Sequence, residues 1–253
     1  MSHPPDDLPS AEPPPSPPVW PTHPDIESRE PRNLLLLAFH QIVFRIGWVF
    51  KTESVIMPAV LDQLSGAGWL RGCLPVLNRF GQSVPPVFLA DYFKTLRHKK
   101  RALAGFTALM SLPFGILSLV WLLSPDSAAG LEQNGFAGPR HVWLPGLFLL
   151  LYLMFFVFNG LYHLSFGTVQ GKLIRPTRRG RLLLTSTFWG SLPAMLLAWF
   201  LLGRWLRLPD GGFGYIFAFS SVCFILAGIM AMTLFEPADP ASVPVSAGKR
   251  GNL

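Results

Sequence analysis

The residues able to do chemistry sit inside otherwise apolar stretches: Arg45, Lys51 and Glu53; Arg71, Asn78, Arg79 and Gln82; and Asn159, His163 and Gln170. Cations, amides and a single carboxylate bind and move a charged or polar solute more readily than they break a bond. At ~100° per helical residue, Arg71, Asn78 and Gln82 fall within about 40° of one another, and so do Asn159, His163 and Gln170. Such narrow polar stripes on apolar helices belong against a bundle interior or a watery path, because ionisable groups are costly in lipid. Glu53 is the candidate protonatable group. Its depth matches that of Arg71, so the two can pair, whereas Arg45 and Arg79 are expected as like charges at one level. The excess of Arg45, Lys51, Arg71 and Arg79 over Glu53 favours an anionic solute.

Catalytic patterns are missing. The chain has no HExxH, no GxSxG, no paired carboxylates and no GxxxxGK[ST] loop, so metal-assisted or serine hydrolysis and nucleotide-driven pumping are not expected. The nearest approach to an enzyme is His163 or His40 with Glu53. Cys73 and Cys223 both lie in apolar runs, without metal-type spacing or a disulfide framework. No catalytic residue, metal or cofactor is expected.

The elements that must position these residues follow from composition. Half of the 253 residues are hydrophobic and only 14% are charged, against about 25% in soluble domains. Six apolar runs, at about 34–61, 69–90, 102–123, 142–173, 182–203 and 214–235, each reach the ~20 residues that cross a bilayer as a helix. The net charge of +7 is confined to short clusters between these runs, which argues against nucleic acid as a partner. Residues 1–32 carry eleven prolines and six acidic residues and read as a disordered proline-rich tail. Residues 237–253 read as a second disordered tail or a truncated linker. The transmembrane domain is thus 33–236.

Lysines and arginines set the orientation. The tails and the loops after the second and fourth runs hold 14 of them, and the alternate loops hold three. Both termini are therefore expected on the cytoplasmic side of a multi-pass protein, in the plasma (cytoplasmic) membrane if the cell is bacterial. The expected cytoplasmic loops carry Asp91, Arg97, Lys99, Lys100 and Arg101, then Arg178, Arg179 and Arg181.

Those loops carry a resemblance. VFLADYFKTLRHKKRAL resembles the G-x-L-a-D-r-x-G-r-r signature of the major facilitator superfamily, with Val87, Tyr92 and Lys94 where the signature has glycine, arginine and glycine. GKLIRPTRRGRLLL resembles the family's junction between its fourth and fifth helices, and NGLYHLSFGTVQGKLI its fourth helix. The resemblance spans about 33–236, one six-helix half of a normally twelve-helix transporter. It implies secondary transport of a small solute, a cavity lined mainly by the first and fourth helices, and the third and sixth outermost. It also implies a cytoplasmic gate in which Asp91 meets arginines in one state only. A single half needs a second six-helix unit or a second copy of itself to alternate access. The other reading is a membrane scaffold that does not transport.

Overall fold

The computed structural model describes residues 24–65, 67–123, 143–208 and 211–237, and within them the chain forms helices and no strand. The helices are α1 (Pro24–Phe50), α2 (Ile56–Ser65), α3 (Gly68–Thr95), α4 (Lys99–Leu109), α5 (Ser111–Leu123), α6 (Leu144–Leu173), α7 (Pro176–Leu197) and α8 (Phe213–Met232). α7 continues through a π turn, Ala198–Leu202, into a last turn, Gly203–Trp205. The rest of the proline-rich tail, most of the expected outer loop and the C-terminal tail lie outside the described residues.

Five stretches are long and apolar enough to cross a membrane: Asp25–Phe50, Lys99–Leu123, Leu144–Leu173, Pro176–Trp205 and Phe213–Met232. They mark a multi-pass membrane protein. Six such spans are expected from the sequence, and α3 is the one that falls short. Its 28 residues would extend about 42 Å at 1.5 Å per residue, but Arg71, Asn78, Arg79 and Gln82 dilute its apolar run.

The helices also extend past the expected runs at the end of α3 (Thr95 against 90) and the start of α7 (Pro176 against 182), and at three further places the departure has a local cause. α1 starts at Pro24, inside the expected tail, with a proline in its first turn and Asp25 and Glu27 beside its N-terminal dipole. The expected first helix does not run to 61. It stops at Phe50, where Lys51 N and Thr52 N bond back to Trp48 O and Val49 O, each at 3.3 Å. Pro58 lacks an amide, and its ring would clash with the Ser54 carbonyl in a continuous helix, so α2 begins afresh with Pro58 in its first turn. The expected 102–123 helix breaks at Met110 for the same reason, with Pro113 three residues on. Ser221 of α8 donates to the Ser111 carbonyl at that break, at 3.0 Å.

Pairwise packing places the helices in an arc, α3–α6–α4/α5–α8–α1–α7, with α1 and α6 meeting across it through large aromatic side chains rather than by close backbone approach. The arc reads the same from both ends when α1, α3 and α4/α5 are matched to α6, α7 and α8. Matched helices run in opposite directions, so the two triplets form an inverted repeat. An aromatic core fills the middle. Phe114 meets Phe155 at 4.8 Å, Phe44 meets Phe224 at 5.4 Å, and Phe155 meets Phe224 at 5.6 Å. α3 and α6 cross closely because Gly160 leaves room: a Cβ there would lie 2.6 Å from the Gln82 carbonyl oxygen and 2.9 Å from Pro86 Cγ. At the other end of the arc, Gly190 of α7 faces Ile42 and Arg45 of α1 in the same way.

Candidate functional site

The break after Phe50 turns Lys51 and Glu53 into the bundle. Lys51 is fully buried. Its ammonium lies 2.6 Å from Glu53 Oε1, and it faces the rings of Trp48, Phe156 and Phe155 at 3.5, 4.3 and 4.6 Å from their centroids. Asn78 of α3 donates its amide to the other carboxylate oxygen, Oε2. Phe155 and Asn78 stand about 15 Å in from the starts of α6 and α3, so the couple lies within the thickness of the bundle. An ammonium removed from water keeps its charge only if anions and ring faces replace its hydration, and this cage supplies both.

The pairing of Glu53 with Arg71 that their depths would allow is not formed. Arg71 pairs through Nε with Asp62 Oδ1, because the fresh start at Ile56 folds α2 back beside α3 and brings Asp62, nine residues earlier in the sequence, against Arg71. Glu53 is left to Lys51 and Asn78.

Arg45 and Arg79 do not share a level either. Phe44 stacks on Tyr162 at 4.3 Å, whereas a Cβ at Gly81 would meet Phe156, so Arg79 lies roughly 12 Å nearer the start of α6 than Arg45 at 1.5 Å per residue. Arg45 Nη2 donates to Thr187 Oγ1 of α7 at 3.2 Å. Arg79 is exposed on α3 and meets no acid among the described residues. Gln41 Nε2 donates to the Tyr162 hydroxyl at 2.7 Å, with the exposed His163 ring 5.2 Å from that of Tyr162.

The α6 stripe divides. Asn159 is fully buried and neither of its side-chain polar atoms has a hydrogen-bond partner among the described residues; His163 is exposed, and Gln170 is half-buried like Gln82. The 40° between Asn159 and His163 carries the helix surface from its neighbours into the open. His40, on α1, gives Nδ1 to the Ala227 carbonyl at 2.8 Å and packs against Tyr162 and Phe166. It lies thirteen residues from Glu53, about 20 Å along a helix, so the structure does not assemble that histidine–carboxylate pairing.

At the other end of the bundle the basic loops meet two buried carboxylates that sequence reasoning missed. Glu236, beyond α8, accepts from Lys99 N at 3.0 Å, from Lys100 N at 2.8 Å and from Lys172 Nζ at 2.8 Å. It therefore caps the first amides of α4, the place where a helix favours an anion. Lys100 Nζ reaches the Leu234 carbonyl at 2.7 Å. Glu30 of α1 accepts from Arg175 N at 3.1 Å and from Arg178 Nη1 at 3.2 Å, fastening the start of α7. Arg179 bonds the end of α6 through the carbonyls of Ile174 (3.1 Å) and Gly171 (2.9 Å). Asn33 of α1 and Phe235, just beyond α8, hold each other by a reciprocal pair, at 2.9 and 3.0 Å. Asp91, Arg97, Arg101 and Arg181 are exposed at this end. The available signal was the position of Glu30 and Glu236, the acids directly flanking the first and last apolar runs.

No family model, no curated protein and no solved structure matches this chain.

Proposed function

We propose that the chain is one six-helix half of a major facilitator-type transporter and carries a small anionic solute across the cytoplasmic membrane by secondary transport. α3 is then the sixth crossing, and the basic end holding both tails faces the cytoplasm. The observation that carries this reading is the inverted pairing of the two helix triplets, the construction that places a solute path between moving units in secondary transporters. It leaves α3 and α7 at the ends of the arc with one side each uncovered. That uncovered surface holds Arg79, Ser83, Thr187 and Ser191, groups that lipid solvates poorly, and Arg45 borders it through Thr187.

The solute class narrows with the ion pairs. Lys51 and Arg71 are matched by Glu53 and Asp62, so the anionic reading rests on Arg45 and Arg79. A second copy or another six-helix unit completes the path. Uptake from a panel of anions into proteoliposomes, with the copy number measured by native mass spectrometry in the same preparation, tests the proposal. The expected result is accumulation of an anion by a two-unit assembly, abolished by Arg45→Gln and by Arg79→Gln. A monomer that accumulates no solute would overturn it in favour of a membrane scaffold.

A further inference from the structure

α3 and α4 are joined by three residues, yet both pack on α6 rather than lying along each other. Phe93 and Phe106 bridge them near the turn, with ring centroids 5.5 Å apart. Beside this stack opens a cleft of about 480 Å³, lined by Tyr92 and Leu96, by Arg97, His98 and Arg101 at its mouth, and by Ala102, Gly105, Phe106 and Leu109 along its wall.

Its chemistry changes along its length. Arg97 and Arg101 are exposed and, unlike Lys99 and Lys100, take no part in the Glu236 clamp. Neither meets an acid among the described residues. His98 Nδ1 is buried there without a hydrogen-bond partner among the described residues. From Arg101 to Leu109 the wall descends about 12 Å at 1.5 Å per residue and is wholly apolar, with nothing within 4 Å of where a Gly105 side chain would stand. A cationic mouth above an apolar groove, on a multi-pass membrane protein, matches a phosphate head joined to an acyl chain.

We propose that this cleft binds an anionic phospholipid, its phosphate held by Arg97 and Arg101 and one acyl chain laid over Gly105 toward Leu109. Basic pockets at the ends of membrane helices recognise such headgroups by charge, while the groove selects against a bare phosphate. The site is independent of the solute path and needs no transport.

The test uses the full chain purified in detergent, with retention of dioleoylphosphatidylglycerol and dioleoylphosphatidylcholine measured by native mass spectrometry and inorganic phosphate as a third probe. Phosphatidylglycerol should be retained in preference to phosphatidylcholine. The Arg97→Gln/Arg101→Gln double variant should lose that preference by about thirtyfold, from the electrostatic attraction of two interfacial cations. Gly105→Leu, which fills the groove and leaves both cations in place, should weaken phosphatidylglycerol retention as well. Equal retention of the two lipids would overturn the proposal. So would a double variant that keeps its preference, or inorganic phosphate bound as tightly as the lipid, which would identify a free-anion site. Unchanged thermal unfolding of the variants in phosphatidylcholine micelles separates loss of the site from loss of fold.

Discussion

Lys51 and Glu53 show how a residue's role depends on a backbone break a few positions away. In one continuous helix the two side chains would diverge by about 200°; the stop at Phe50 lets them meet at 2.6 Å. Lys51 is fully buried among three aromatic faces, so its charge depends on Glu53. Glu53→Gln is expected to destabilise the protein by about 3 kcal/mol, the lower end for breaking a buried pair, because the Glu53 side chain is itself 31% exposed. Adding Lys51→Met should restore most of the loss, since an apolar side chain suits the same cage. Thermal or denaturant unfolding in detergent measures both, and a double variant no better than the single would show that the pair is not the source. Sequence alone singled out both residues but matched Glu53 in depth to Arg71, with which it could pair. The partner was hidden because the apolar run 34–61 continues through Pro58, where the structure starts a new helix, and only that helix brings Asp62 to Arg71.

The helices were legible where apolar length decides and obscure where a cap or a crossing decides. α6 and α8 lie within two or three residues of their expected limits because their runs are unbroken and end at turns. α1 gained a first turn and more from a tail that reads as disordered by composition, since its acids are fastened from the far side of the sequence: Glu30 by Arg175 and Arg178. Glu236 has the same character. Glu236→Ala should uncap α4 and strand Lys172 at a cost of about 1–3 kcal/mol, read as faster amide exchange at Lys99 and Lys100; unaltered exchange would remove the clamp from the account. The α3–α6 crossing makes a separate prediction. Gly160→Val forces a side chain into the Gln82 carbonyl and should cost about 1–3 kcal/mol by overpacking. Gly167→Ala, on the same helix with nothing within 4 Å, should be near neutral. Equal effects of the two in thermal unfolding would mean that the close crossing is not formed.

At the scale of the molecule, five long apolar helices and a shorter-run α3 build an arc of two inverted triplets, tied at its basic end by Glu30, Glu236 and the Asn33–Phe235 pair. That tie draws the first turns of α1 and the segment after α8 into one cluster with the basic loops; a charge count along the sequence groups the same segments. What the count could not supply was the arc itself, because pairing between distant helices rests on glycine gaps and aromatic fit rather than on hydropathy. The account turns on whether the open side of α3 and α7 faces water or lipid. Cysteines placed singly at Ser83 and Ser191, in a background with Cys73 and Cys223 replaced, report this in intact membranes. A membrane-impermeant thiol reagent is expected to label both positions, with protection by the transported anion. Labelling by a lipid-soluble maleimide alone would put that face against the acyl chains and contradict a solute path between two six-helix units.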